Sequence, residues 1–323
     1  MKIKELQHLI NTEVEQLALP GNPGELYEPI TYLMALGGKR MRPVLTLMAC
    51  NVFSEDVQPA LKAALGIEVF HNFSLMHDDI MDNAPLRRGK KTVHEKWNPN
   101  IAILSGDVML VKAYELMMQV DDHLLRTVLD IFNKTAAEVC EGQQMDMNFE
   151  GHANVEVEQY IEMIGLKTAV LLGASLKIGA LIGGAAEAEA QHLYEFGKNL
   201  GIAFQLQDDI LDVFGDPDKF GKQVGGDIIA NKKTYLLIKA IELAEHSTKD
   251  ELKHWINIPI FDADEKVKAV TNIYNQLNIR EQAENMMHSF VVKAMDHINC
   301  IEVTPERKKQ LIDFAGQLMV REH

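Results

Sequence analysis

Apolar residues recur at three- and four-residue spacing along almost the whole chain, and no stretch sustains the alternation of a half-buried strand. The pattern is plain in Leu6, Leu9, Ile10 and Val14, in Leu61, Leu65 and Val69, in Leu193, Phe196, Leu200 and Phe204, and in Leu311, Phe314 and Leu318. Gly and Pro, 21 and 10 in 323 residues, are too few for the turns of an all-β fold. They gather where helices should stop: Pro20 to Pro23, Asn83 to Pro85, Gly215 to Pro217 and Thr304-Pro305. An all-α fold of roughly ten or more helices is expected. With no Ser/Pro-rich linker, charge block or low-complexity tract, residues 1–323 are expected to form a single domain. Asp262 to Glu265, ahead of a helical run, is expected to be a solvated turn or cap.

Charge narrows the range of partners. Lys and Arg total 32 against 47 Asp and Glu, a net charge of −15, which repels a polyanionic backbone and argues against nucleic acid. Cys50, Cys140 and Cys300 lie far apart with no C-x-x-C spacing, so they announce neither a disulfide framework nor a zinc site. The N-terminal MKIKELQHLINTEVEQL carries charge where a secretory signal has its apolar core, and reads as an amphipathic helix. Thr168 to Ala186 is apolar, but Lys177 sits at its middle and it is rich in Gly and Ala. A buried, closely packed helix is expected there, with no membrane span and a cytoplasmic location.

Chemistry enters with a repeated acidic heptapeptide. Met76-His77-Asp78-Asp79-Ile80-Met81-Asp82 returns 130 positions later as Leu206-Gln207-Asp208-Asp209-Ile210-Leu211-Asp212. On a helix Asp78 lies one turn from Asp82, and Asp208 one turn from Asp212, so like charges stack on one face. Each cluster precedes a stop signal, where the helix dipole is negative and disfavours carboxylates. A cation should compensate. Oxygen-only ligands without a Cys or His cluster select Mg2+ or Mn2+ over zinc, and the Gly and terminal Glu of an EF-hand are missing. Two such clusters facing one another would complete the octahedra of Mg2+ with diphosphate oxygens.

A diphosphate site also needs positive charge, and this acidic chain concentrates it. Gly37-Gly38-Lys39-Arg40-Met41-Arg42-Pro43 places cations after two glycines, where backbone can approach a phosphate. Arg87, Arg88, Lys90 and Lys91 follow the first acidic cluster; Lys222, Lys232 and Lys233 follow the second. Arginine offers phosphate a bidentate fork and lysine a point charge.

Taken together these residues resemble the trans-isoprenyl diphosphate synthases, the polyprenyl synthetase family. The family's motifs occur in order as Gly37 to Pro43, Asp78 to Asp82 with Arg87 to Gly89, Gly142 to Asp146, Lys167-Thr168, Asp208 to Asp212 and Lys222 to Asp227. The resemblance implies the all-α isoprenoid synthase fold, helices around a central cavity, and head-to-tail joining of isopentenyl diphosphate to an allylic diphosphate. It implies that Asp78, Asp82 and Asp208 hold the Mg2+ ions, with Asp79, Asp209 and Asp212 as supporting acids. Arg87, Lys167, Lys222 and Lys232 resemble the family's contacts to the allylic diphosphate; Lys39, Arg42, His71 and Arg88 resemble its isopentenyl diphosphate site. Thr168 and Gln205 resemble the oxygen donors that face the carbocation. A homodimer is implied as well.

Two other activities are weighed against this one. A terpene cyclase shares the first motif, but its second mixes Asn, Ser and Glu where Asp208-Asp209-Ile210-Leu211-Asp212 stands here, and it needs no second diphosphate site. A non-catalytic subunit of a heteromeric synthase typically loses acidic motifs, and this chain keeps both. Product length in the family follows the residues four and five before the first motif, here Ser74 and Phe73, the latter about 7.5 Å along the helix from Asp78. One aromatic beside a serine implies geranylgeranyl diphosphate, with farnesyl diphosphate as the alternative.

Overall fold

The computed structural model describes residues 2–152, 154–215 and 225–319. The described helices are α1 (Ile3–Glu15), α2 (Gly24–Ala35), α3 (Met41–Phe53), α4 (Leu61–Met81), α5 (Val93–Lys96), α6 (Pro99–Met117), α7 (Asp122–Gly151) and α8 (Val157–Ile164). After a π-helical segment at Gly165–Ala169 come α9 (Val170–Ile182), α10 (Glu187–Phe214), α11 (Gly226–Ile229), α12 (Tyr235–Leu243), α13 (His246–Asn257), α14 (Ala263–Gln276), α15 (Ile279–Asn299) and α16 (Pro305–Met319). The fold is all-α, as the spacing of apolar residues requires. Helices α4 and α10 end at Met81 and Phe214 and α16 begins on Pro305, all at the stop and start signals. Asp262 caps α14 by accepting the amide of Glu265.

The chain divides into two compact units, each built from discontinuous segments: Met1–Asn133, Ala174–Tyr194 and Glu302–Leu311 in the first, Lys134–Gly173, Glu195–Ile301 and Ile312–His323 in the second. In the first unit α4 is the central element. Its residues Ala63 to Phe70 are all buried, as expected of a helix that is apolar on every side, and it packs along α6 and α3. Within the same unit, α9 meets the backbone of α3 at Thr46 and Cys50 through Gly179 and Gly183. The stretch Val157–Ile182 is long and apolar enough to cross a membrane, yet 78% of its apolar window is buried inside the fold. The small residues there serve close helix packing.

In the second unit, Tyr160, Leu206, Ile210, Tyr235, Ile273 and Tyr274 belong to one buried cluster. That cluster holds the C-terminal half of α10, with the second acidic motif, against α8, α12 and α14.

One element lies outside the helical expectation. Leu86–Arg87 and Lys90–Lys91 pair as an antiparallel hairpin across Arg88 and Gly89, whose φ angles are 53° and 74°. Two central residues with positive φ make a tight turn that matches strand twist. The basic run after the first motif is therefore a shaped hairpin.

Candidate active site

Helix α4 carries the first motif at its end. Asp78 is half-buried, Asp82 is the exposed C-cap residue, and Asp79 is only 2% exposed. A carboxylate buried that deeply needs a partner. Asp79 has one: Arg87, on the hairpin, donates from Nε to both carboxylate oxygens at 3.0 and 2.8 Å and from Nη2 to Oδ1 at 2.7 Å. The middle aspartate of the motif is thus committed to an arginine, while its neighbours on either side remain within reach of solvent.

Two turns earlier on α4, His71 lies 3.1 Å through Nε2 from an Arg42 guanidinium nitrogen. Arginine only donates, so Nε2 accepts and the ring proton belongs on Nδ1. Burial, then Arg42, Arg88, Arg87 and Arg40, hold the imidazole well below its ordinary pKa, so the ring is neutral. Burial also brings Arg42 down to about 10, against the opposing pull of Glu68. Arg88 extends from the hairpin turn over the two glycines, donating to the carbonyl of Gly37. Its guanidinium leaves no room for a side chain at Gly38, where a Cβ would stand 3.0 to 3.2 Å from it. The two glycines thus lie against Arg88, itself one of the cations named for a diphosphate site. Lys39 is exposed in the same loop.

Arg40, between Lys39 and Arg42, has a structural task that a charge run does not reveal. It is 6% exposed, starts α3 with φ 49°, and binds Glu68 at 2.5 Å and the Met34 carbonyl at 2.7 Å. Asn72 donates to the same Glu68 oxygen at 2.9 Å. This buried pair ties the basic loop to α4. Glu68 is a polar residue within a long apolar stretch, which is the sequence signal that marks it.

The second unit carries the other motif under different conditions. Asp209, 4% exposed, accepts the hydroxyl of Tyr160 on Oδ2 and the amide nitrogen of Gln205 on Oδ1, the latter at 3.2 Å. Burial, and then Asp227, raise its pKa to about 8, although both hydrogen bonds pull the other way. Asp212 accepts the amide of Asp227 at 2.9 Å and, through its carbonyl, that of Gly225 at 2.6 Å, so it anchors the start of α11. Asp208 is half-buried. Lys232 is largely exposed and stands 4.0 Å from Asp227. Lys222 lies outside the described residues.

Lys167 and Thr168 fall on the π-helical segment, a widened turn that frequently marks functional sites. A Cβ on Gly142 of α7 would collide with the backbone of Lys167, so the two elements approach as only glycine permits. Asp146, one turn further along α7, accepts Lys167 Nζ at 2.6 Å. Thr168 Oγ1 stands 3.5 Å from Gln205 Oε1.

Within one unit, then, Arg42, His71, Arg87 and Arg88 gather near the first motif; within the other, Lys167, Thr168 and Gln205 gather near the second. Sequence reasoning missed Glu68 and Tyr160, and named Arg40 and Asp146 only as parts of motifs. The donor set suits Mg2+, which takes carboxylate oxygens and keeps room for water and phosphate. Among the described residues no three His, Cys, Asp or Glu side chains converge closely enough to hold an ion alone.

Residues 23–276 match the family model for polyprenyl synthetase. A geranylgeranyl diphosphate synthase from Methanosarcina mazei is 34% identical over 328 aligned positions, covering 100% of this chain and 98% of that protein. A short chain isoprenyl diphosphate synthase from Methanocaldococcus jannaschii is 43% identical over 71% of this chain and 70% of its own length. Among solved structures, a crystal structure of a geranylgeranyl pyrophosphate synthase superposes with a TM-score of 0.95 at 45% identity, covering 100% of both chains.

Proposed function

The chain belongs to the polyprenyl synthetase family, and from that premise we propose that it joins isopentenyl diphosphate to allylic diphosphates to make geranylgeranyl diphosphate. It is a short-chain prenyltransferase with the isoprenoid synthase fold. The observation that carries the condensation reading is the set of arginines around neutral His71, on the same helix as the first acidic motif. A cluster of arginines on the same helix as an acidic motif suits an enzyme that handles two diphosphates. A cyclase needs one.

In this reading Asp78, Asp82 and Asp208 would hold Mg2+, which would supply positive charge to the diphosphate oxygens. Arg87, pinned by Asp79, and Lys167, Lys222 and Lys232 offset the charge growing on the leaving diphosphate. Lys39, Arg42, His71 and Arg88 hold isopentenyl diphosphate, with the arginines as forks and His71 as a neutral ring that adds no charge of its own. Thr168 and Gln205 direct oxygen toward the allylic cation. The released diphosphate takes the final proton, so no side-chain nucleophile is required.

Product length rests on Phe73. Its ring is half-buried whereas Phe70 is 1% exposed, a difference that supports a lining role for Phe73. Ser74 turns its hydroxyl back to the His71 carbonyl at 2.8 Å and leaves little bulk of its own. Behind Phe73 stand Phe70 at 5.6 Å and then Phe132 at 5.2 Å from Phe70, centroid to centroid. Phe73→Ala should therefore lengthen the product by one or two five-carbon units and no further. An unchanged product from a folded, active variant would place the floor elsewhere.

We also assign a homodimer, a cytoplasmic location and one functional domain. Leu104 and Val111 on α6 and Met118 at its C-cap, 56 to 59% exposed and spaced seven residues apart, form an apolar stripe suited to a second copy. Sedimentation of the purified protein reads the oligomer directly. The free thiols of Cys50, Cys140 and Cys300 suit a reducing compartment.

The test of function is incubation with Mg2+, labelled isopentenyl diphosphate and dimethylallyl, geranyl or farnesyl diphosphate in turn. Geranylgeranyl diphosphate should be the main product from each primer. Farnesyl diphosphate, a cyclised hydrocarbon or no product at all contradicts the assignment.

A further inference from the structure

We propose that Tyr160 is a positioning residue for the condensation step, acting through Asp209 to fix the direction in which the Gln205 amide presents its oxygen. The inference rests on the assignment of Gln205 to the allylic cation, and goes beyond it by naming what aims that side chain.

Gln205 and Asp209 are four residues apart on α10 and so lie on one face, one turn from each other. A glutamine side chain carries an oxygen that accepts and a nitrogen that donates, and the two ends exchange on a half-turn of the amide. Oδ1 of Asp209 faces the nitrogen end at 3.2 Å. The oxygen end is thereby turned the other way, toward Thr168 Oγ1 at 3.5 Å on the π-helical segment. Only one of the two amide orientations gives an oxygen dipole to a cation; the other gives N–H groups that repel it.

Asp209 can impose that direction only as an ionised acceptor, the form that both of its hydrogen bonds favour, and only if its own carboxyl plane is fixed. Oδ2 receives the hydroxyl of Tyr160, which comes from α8, 49 positions earlier in the chain. Tyr160 is 2% exposed and its ring belongs to the buried cluster of the second unit, so the hydroxyl cannot swing away. The order of control runs from packed ring to hydroxyl, to carboxylate, to amide, to the oxygen that faces substrate. Every link is within the second unit, and none requires Tyr160 to touch a reacting atom.

The experiment compares Tyr160→Phe, Gln205→Ala and the double variant by steady-state kinetics, with circular dichroism and melting curves to establish folding. Tyr160→Phe keeps the ring and loses only the hydroxyl. Its kcat should fall about tenfold, with the KM of each diphosphate and the Mg2+ concentration for half-maximal rate within threefold of wild type. The double variant should be no slower than Gln205→Ala, because an amide that is gone cannot be misdirected. A kcat within threefold of wild type overturns the proposal, as does a loss expressed in KM or a double variant whose defects multiply. If Gln205→Ala is itself as fast as wild type, the assignment of Gln205 to the cation falls, and this inference with it. If Tyr160→Phe does not fold, Asp209→Asn decides with the tyrosine in place: a kcat loss at unchanged Mg2+ requirement supports the relay, and a raised Mg2+ requirement refutes it.

Discussion

The two acidic motifs share one pattern of aspartates and occupy opposite electrostatic surroundings. Around the first, Arg40, Arg42, Arg87 and Arg88 crowd a single neutral histidine, and the middle aspartate is forked by Arg87. Around the second, Asp227 and Asp208 press on a middle aspartate held by an uncharged phenol and an uncharged amide, and Asp227 and Asp146 act on that phenol as well. In both, the middle residue is buried and serves the protein. What differs is the charge of its partner, and a heptapeptide alone carries no record of that.

The strongest test of the common part removes an outer aspartate. Asp82→Ala and Asp208→Ala should each keep helicity by circular dichroism and lower kcat by about a thousandfold, the equivalent of about 4 kcal/mol of lost transition-state stabilisation. If only one of them is slow, the two motifs are not equivalent in holding metal and the comparison fails at its base.

The next test separates the middle residues by stability. Arg87→Leu leaves the 2% exposed Asp79 without its cation and should cost about 3 to 5 kcal/mol in denaturant unfolding. Tyr160→Phe removes one neutral donor from Asp209 and should cost only about 1 to 2 kcal/mol. Equal losses would mean that partner charge does not distinguish the two sites.

Arg42→Lys sharpens the contrast from the side of the substrate. It exchanges a fork for a point charge next to His71, so the KM for isopentenyl diphosphate should rise about tenfold while that for the allylic primer moves less than threefold. An equal rise in both would dissolve the division of the cations between two diphosphates.

The smallest effect is the pH dependence that His71 gives the first region. His71 titrates far below 6.5 when folded and near 6.5 when unfolded, so the unfolded chain binds the extra proton as pH falls. Its contribution is complete above about pH 6.5 and should decline by about 1 kcal/mol by pH 5.5. Melting curves of His71→Gln should lack that share of the acid-side loss.

Much of this was legible in the chain, and the omissions have a common physical cause. Helix content and the ends of α4 and α10 follow from local spacing and from Gly and Pro, which act within a few residues. The acidic and basic motifs are equally local. The duty of Asp79 depends on an arginine eight positions away across a hairpin whose strands are two residues long, below the length at which alternation shows. Asp209 depends on a tyrosine 49 positions earlier, and Arg40 on a glutamate 28 positions later. Such partners are chosen by packing. The unwound turn at Lys167 had only Gly142 as its trace, since a glycine inside a helix signals close approach without saying to what.

The most direct measurement for the division of labour within each motif is the Mg2+ dependence of turnover in Asp79→Asn, Asp82→Ala, Asp208→Ala and Asp209→Asn at saturating diphosphates. The outer variants should need at least tenfold more Mg2+ for half-maximal rate, or fail to saturate, while the middle variants should saturate at the wild-type concentration with a lower plateau or a lower melting temperature. A raised Mg2+ requirement in Asp79→Asn and Asp209→Asn, with none in the outer pair, would contradict the account.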